Sequence, residues 1–162
     1  MLDYERIFRE LNDEGTDYLV IGGLAVNLHG IPRMTYDLDL MILLEPEMII
    51  RFVEKLGSWG YRPRAPVKPV DLADEKKRQF WISRKNMKAF NFYHDTEPVA
   101  EIDLMIDSPI PYRELKQSAV MFMVGDVEVP VISIRDLITL KLSSGRRHDL
   151  ADVEHLRSLL EK

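Results

Sequence analysis

The chain has 162 residues, with 22 Lys and Arg against 27 Asp and Glu, giving a formal charge of −5. Hydrophobic residues make up 46% and charged residues 30%, the balance of a globular rather than a disordered protein. The absence of Cys excludes a disulfide framework, a thiol nucleophile and any thiolate metal site, and the acidic balance argues against a general electrostatic grip on nucleic acid.

The N-terminus is charged from its third residue, unlike a signal peptide, and no apolar run approaches the about 20 residues that span a bilayer. The expectation is one domain over residues 1–162, cytoplasmic and without a membrane partner. Apolar Tyr4, Ile7, Phe8 and Leu11 predict an amphipathic helix from an Asp3 N-cap to Asn12. Tyr18–Ile21 reads as a short buried strand, ended by Gly22-Gly23, and LAVNLHG as a helix stopped by Gly30 and Pro32. Asp37–Leu44 reads as a buried strand, and Pro46 opens a helix through about Ser58. Residues 61–78, with Pro63, Pro66 and Pro69, read as a surface excursion. Gln79–Arg84 and Lys88–His94 are expected to form an antiparallel hairpin, followed by a strand over Ala100–Ile106 and a helix over Tyr112–Ser118. Val120–Val124 and Val127–Val131 flank a Gly125-Asp126 turn, then a helix capped by Ser133 runs to Gly145 and a last helix follows. Interleaved hairpins and crossovers define the fold class as α/β (α+β), a single mixed β-sheet with packed helices.

The unusual feature is Asp37-Leu38-Asp39 at the head of an otherwise apolar strand. Side chains alternate along a strand, so both carboxylates share one face, roughly 6.6 Å apart along the chain. Two like charges beside a core are costly unless a cation compensates them, and a hard divalent ion held by oxygens is the natural choice. Glu101-Ile102-Asp103-Leu104 repeats the pattern. If the two strands are neighbours, Asp37, Asp39 and Asp103 converge, and three carboxylates can hold two metals about 3.5–4 Å apart, as phosphoryl transfer uses. The bland alternative is an Asp that caps a turn or is merely solvated on a half-exposed strand.

Taken together, YLVIGGLAVNLHGIPRMTYDLDLMI, AEIDLMI and LITLKLSSGRRHDLADVEHL resemble the DNA polymerase β-like nucleotidyltransferase superfamily. Within it the chain is similar to small stand-alone members related to abortive-infection toxins of toxin–antitoxin pairs and to antibiotic nucleotidyltransferases. The resemblance implies the nucleotidyltransferase fold and transfer of an NMP from an NTP, such as ATP, to an acceptor hydroxyl with release of pyrophosphate. It implies that Gly22 and Gly23 bind the triphosphate and that Asp37, Asp39 and Asp103 bind two Mg²⁺ ions, with Mn²⁺ as a possible substitute. Asp103 would also serve as base toward the acceptor. The superfamily commonly has Gly-Ser where this chain has Gly-Gly. Arg33, in an R-x-T-x-D-x-D run, either contacts a phosphate or pairs with Asp37 or a neighbour. Lys141 resembles a helix lysine that reaches nucleotide phosphates; a solvated lysine is the alternative. Asp149 and Asp152 fit a K-D-L-x-D-like run, with Asp149 placed to stabilise the dipole of the last helix.

The acceptor (small molecule, RNA or protein), the nucleotide and the place of Glu101 stay open. An antitoxin or a second copy is the expected protein partner. The alternative function is a non-catalytic or toxin-like nucleotide-binding component of a toxin–antitoxin pair. His29, His94, His148 and His155 show no zinc-ligand spacing. Lys76-Lys77-Arg78 reads as a solvated basic cluster, and Trp59, Trp81, Phe90 and Phe92 as core.

Overall fold

The computed structural model describes residues 1–162. In chain order the elements are α1 (Tyr4–Asp13), β1 (Tyr18–Ile21), α2 (Gly22–Leu28), β2 (Asp37–Ile42), α3 (Pro46–Ser58) and β3 (Arg62–Pro63). A short 3₁₀ turn (Pro69–Ala73) leads to α4 (Glu75–Lys85), β4 (Ala89–Tyr93), β5 (Glu101–Met105), α5 (Tyr112–Gln117), β6 (Val120–Val124), β7 (Val127–Val131), α6 (Ile134–Ser144) and α7 (Arg147–Leu160). One seven-stranded sheet has the order β3-β4-β5-β2-β1-β7-β6. β2 runs parallel to β5 and β1 parallel to β7, while every other neighbouring pair is antiparallel. This is the mixed sheet that the interleaved pattern implied. No helix is long and apolar enough to cross a membrane.

Local chemistry explains most boundaries. The Asp3 carboxylate accepts from the Arg6 N–H at 2.9 Å, and the stripe Ile7, Phe8 and Leu11 is buried. Ser133 accepts from the Asp136 N–H at 3.1 Å to open α6, and Gly145, at φ 65°, closes it in a left-handed conformation. In the middle of the sheet, alternation sends Leu38, Leu40, Ile102, Leu104, Phe90 and Phe92 to one face, where each is at most 1% exposed. Their carboxylate neighbours face the other way.

The segment after the third helix differs from expectation. Gln79–Arg84 is not a strand and forms no hairpin with the next segment; it is the body of α4. The Asp74 carboxylate accepts from the N–H groups of Lys76 (2.9 Å) and Lys77 (3.3 Å), and Asn86 ends the helix at φ 52°. The run Phe80-Trp81-Ile82 suggested β structure, yet only Trp81 is buried from it, together with Arg78 one turn earlier. Capping and helix-favouring Glu, Lys, Arg and Gln outweigh that apolar triplet. The Pro-rich excursion is also more structured than expected: Arg62–Pro63 forms an edge strand on β4, and the 3₁₀ turn buries Leu72 against the α3 side. Arg78, read as part of a solvated basic cluster, is buried and donates to the Leu72 carbonyl at 2.5 Å. β4 pairs instead with β5, Phe90 opposite Leu104 and Asn91 opposite Asp103.

The capping argument predicts that Asp74→Ala lowers the unfolding free energy by about 1 kcal/mol, measured by chemical denaturation with the slope unchanged.

Candidate active site

The site is built on the face of the sheet opposite the apolar rows. Because β2 and β5 are parallel and in register, Asp37 lies beside Glu101 and Asp39 beside Asp103. β1 and β4 extend the second row, placing Ile21 next to Asp39 and Asn91 next to Asp103. Asp103, distant in sequence from Asp37 and Asp39, is thereby brought onto the same face of the sheet beside Asp39. Burial, then the charges of Asp103 and Asp37, push the Asp39 carboxyl up to about 7, against the opposing effect of the Gly23 N–H and Lys141. Burial is also the leading cause that raises Asp103. Asp37 is raised by burial and then by Glu101 and Asp103.

Gly22 and Gly23 begin α2 directly from the end of β1. Gly22 holds φ 68°, and a Cβ there would overlap the Asp39 carboxylate. Glycine is required at Gly22 by a carboxylate pressed against it. At Gly23 a Cβ would meet the Thr35 Oγ1 at 3.4 Å and the Arg33 Cζ at 3.5 Å, ordinary contacts.

Opposite the glycines stands a buried charge network. Lys141 on α6 is only 7% exposed and its Nζ lies 3.1 Å from Asp149 Oδ1 and 3.0 Å from Asp152 Oδ2, both on α7. It is not the solvated helix lysine of the alternative reading. Burial alone would raise the Asp149 carboxyl, but hydrogen bonds from Ser144, Arg146 and Lys141 override it and hold it at about 2. Asp149 lies in the first turn of α7 as expected, and it is also the counter-ion beneath Lys141. Arg33 pairs with Asp152 at 2.5 Å rather than with Asp37.

Two adjoining hollows share Gly22, Asp39, Asp103 and Lys141 in their walls. The smaller, about 320 Å³, is almost wholly polar and includes Gly23, Arg33 and Thr35. The larger, about 690 Å³, continues past Ala89, Met105, Leu137 and Leu140 and has a partly apolar wall. Carboxylate oxygens are the donor set that a hard divalent cation takes, and burial, which leads in raising all three, with neighbouring carboxylate charge added, is what such a cation would offset. As they stand, no three of the carboxylates close round a single point as a ligand set.

Asn91 was not singled out in the sequence. Its Nδ2 donates to Asp103 Oδ1 at 2.5 Å while its own Oδ1 is buried without a partner. The available signal was a lone amide at the alternate position between buried Phe90 and Phe92. Glu101, the register neighbour of Asp37, is paired with Arg64.

Solved structures share the fold. The lincosamide antibiotic adenylyltransferase LnuA, bound to lincomycin, is similar with a TM-score of 0.63 at 15% identity, over 94% of this chain and 93% of that one. ANT(2″)-Ia in complex with adenylyl-2″-tobramycin gives 0.61 at 12% identity, over 95% and 85%. An antigenic nucleotidyltransferase-like protein from Paracoccidioides brasiliensis gives 0.54 at 16%, over 96% and 72%. A comparison with curated proteins gives no match. Residues 6–161 match the family described as nucleotidyl transferase AbiEii toxin, type IV toxin–antitoxin system, and the chain belongs to that family.

The Asp39 environment makes a signed prediction. A carboxyl that ionises harder in the folded than in the unfolded chain withdraws stability as pH rises from its ordinary value near 4 through about 7. In chelator at pH 8, Asp39→Asn should therefore raise the melting temperature by about 2–6 °C, and the gain should vanish near pH 4. A lower melting temperature for the variant at pH 8 would contradict the assignment.

Proposed function

We propose that the chain transfers a nucleoside monophosphate from a nucleoside triphosphate to an acceptor hydroxyl, with release of pyrophosphate. The observation that carries this reading is the row Asp39–Asp103, with Asp37 alongside, set between the glycine turn and the buried Lys141 in one cleft. Asp37, Asp39 and Asp103 are the residues that would hold divalent cations, Mg²⁺ or Mn²⁺. When bound, such ions supply the countercharge for the triphosphate and lower the pKa of the acceptor hydroxyl.

The chain's own residues divide the remaining work. Gly22 and Gly23 let the phosphates approach the backbone, since side chains are absent at the turn. Lys141, fixed between Asp149 and Asp152, is already ordered and loses little side-chain freedom when a phosphate arrives. Arg33, fixed by Asp152, lines the polar hollow with its guanidinium. Asp103, steadied by the Asn91 amide, is placed to accept the proton of the acceptor hydroxyl. The larger hollow offers room of the size that small ligands occupy.

On this reading the chain works as one domain in the cytoplasm, with an antitoxin as its protein partner, as expected for its family. The second reading is a nucleotide-binding toxin component without transfer activity.

Incubation with each labelled NTP, Mg²⁺ and fractionated lysate separates the two readings. Transfer of label to a small molecule, RNA or protein supports catalysis. Asp37→Asn, Asp39→Asn and Asp103→Asn should each reduce that transfer by at least about 10²-fold. NTP binding without any labelled product would support the second reading.

A further inference from the structure

The two edges of the sheet are made differently. β3, at one end, is only Arg62–Pro63, and a charge and a proline are common guards of an exposed edge. β6, at the other end, is Val120-Met121-Phe122-Met123-Val124, with no charge, proline or glycine. Val120, Met121 and Met123 are 40, 51 and 61% exposed. The backbone of β6 is paired on one side alone. Across the Gly125-Asp126 turn, Val124 lies opposite Val127 and Phe122 opposite Val129. In a hairpin with a two-residue loop these are the hydrogen-bonded pairs, so alternation turns the N–H and C=O of Met121 and Met123 outward. A row of polar backbone groups is thus spaced to bond one more strand.

What fits that row is written in the strand itself. V-M-F-M-V reads the same in both directions. A second copy laid antiparallel about a two-fold axis at Phe122 places Val120 opposite Val124, Met121 opposite Met123, and Phe122 opposite its own counterpart. In that register the outward groups of Met121 meet those of Met123, which is the pairing their alternation requires. The exposed methionines of both copies then form one apolar cluster, and their flexible thioethers pack well in irregular space. Charge agrees with this occupant. No charged side chain in the strand opposes itself, and the two ends are complementary. Asp126 of one copy comes opposite Ser118 of the other, and Ser118 donates to Asp136, the neighbour of exposed Arg135 at the start of α6.

We propose that β6 pairs with β6 of a second copy of this chain, joining the two sheets into one about a two-fold axis at Phe122. The contact is isologous, so it closes as a dimer. It leaves the cleft free, because β6 lines neither hollow. The register from Leu40 through Val20 and Val131 to Val120 puts Val120 on the apolar face, and Met121 and Met123 on the carboxylate face. Both acidic clefts therefore open on the same side of the joined sheet.

Sedimentation equilibrium of the full-length chain over a concentration series should show the mass rising from 18.9 kDa towards twice that value. Met123→Lys adds a guard to the edge, and Met123→Pro removes an outward N–H without touching the ladder to β7; each should keep the mass of one copy. Melting curves establish that the variants fold, and Met123→Lys carries the test if the proline variant does not. Cysteine pairing reads the register, since the chain has no Cys of its own. Residues opposite each other at a non-hydrogen-bonded position lie about 4.5 Å apart, within disulfide range, so Phe122→Cys should give a disulfide-linked dimer under mild oxidation. Two copies of Val124→Cys would hold their cysteines about 13 Å apart, and that variant should not link.

A wild type that keeps the mass of one copy at every concentration overturns the proposal, including where β6 is then found paired with a strand of a different protein. A dimer that Met123→Lys leaves intact overturns it too, as does one linked by Val124→Cys in preference to Phe122→Cys.

Discussion

Like charges held side by side against a sheet are the constraint from which the architecture follows. Asp39 and Asp103 are direct neighbours across the parallel β2–β5 pair, with Asp37 beside Glu101 one step along. Had these strands been out of register by one residue, the carboxylates would have turned into the apolar layer with Leu38 and Ile102. The rows Leu38–Ile102–Phe92 and Leu40–Leu104–Phe90 fix the register by burying completely on the other face. Core packing thus stabilises an acidic face that electrostatics alone would disperse.

The surrounding groups each answer that repulsion in a different way. Gly22 gives up its side chain so that Asp39 can come close. Arg64 pairs with Glu101, and Asn91 donates to Asp103. Across the cleft the problem is inverted: Lys141 is a buried cation and would be costly alone, and Asp149 and Asp152 make it tolerable. The cleft therefore has an acidic wall in need of positive charge and a basic wall whose charge is already matched.

Much of this was legible in the sequence, for specific reasons. The D-x-D and E-x-D strands announced themselves because carboxylates interrupt runs that are otherwise apolar, and period-two alternation places such residues on one face. The strand–Gly-Gly–helix order located the turn. Long-range pairing was less accessible. That Arg33 meets Asp152 rather than Asp37 depends on how α7 docks, which no local pattern encodes. The α4 segment was misread because contiguous Phe80-Trp81-Ile82 carries little periodicity, while the decisive signal, Asp74 ahead of a run of helix formers, lay outside the apolar triplet. Asn91 escaped notice since a single amide in a strand is ordinary until its neighbour across the sheet is known.

The pairing of Lys141 and Arg33 with the same Asp152 has a further consequence. Because these cations are already matched, the basic wall projects little field into the solvent, and a polyanion gains little attraction from it at a distance. Recognition must instead arise at contact, through hydrogen-bond geometry inside the hollow. Association with this wall should accordingly vary only gently with ionic strength, and closeness of fit rather than total charge should govern which phosphorylated molecules are retained.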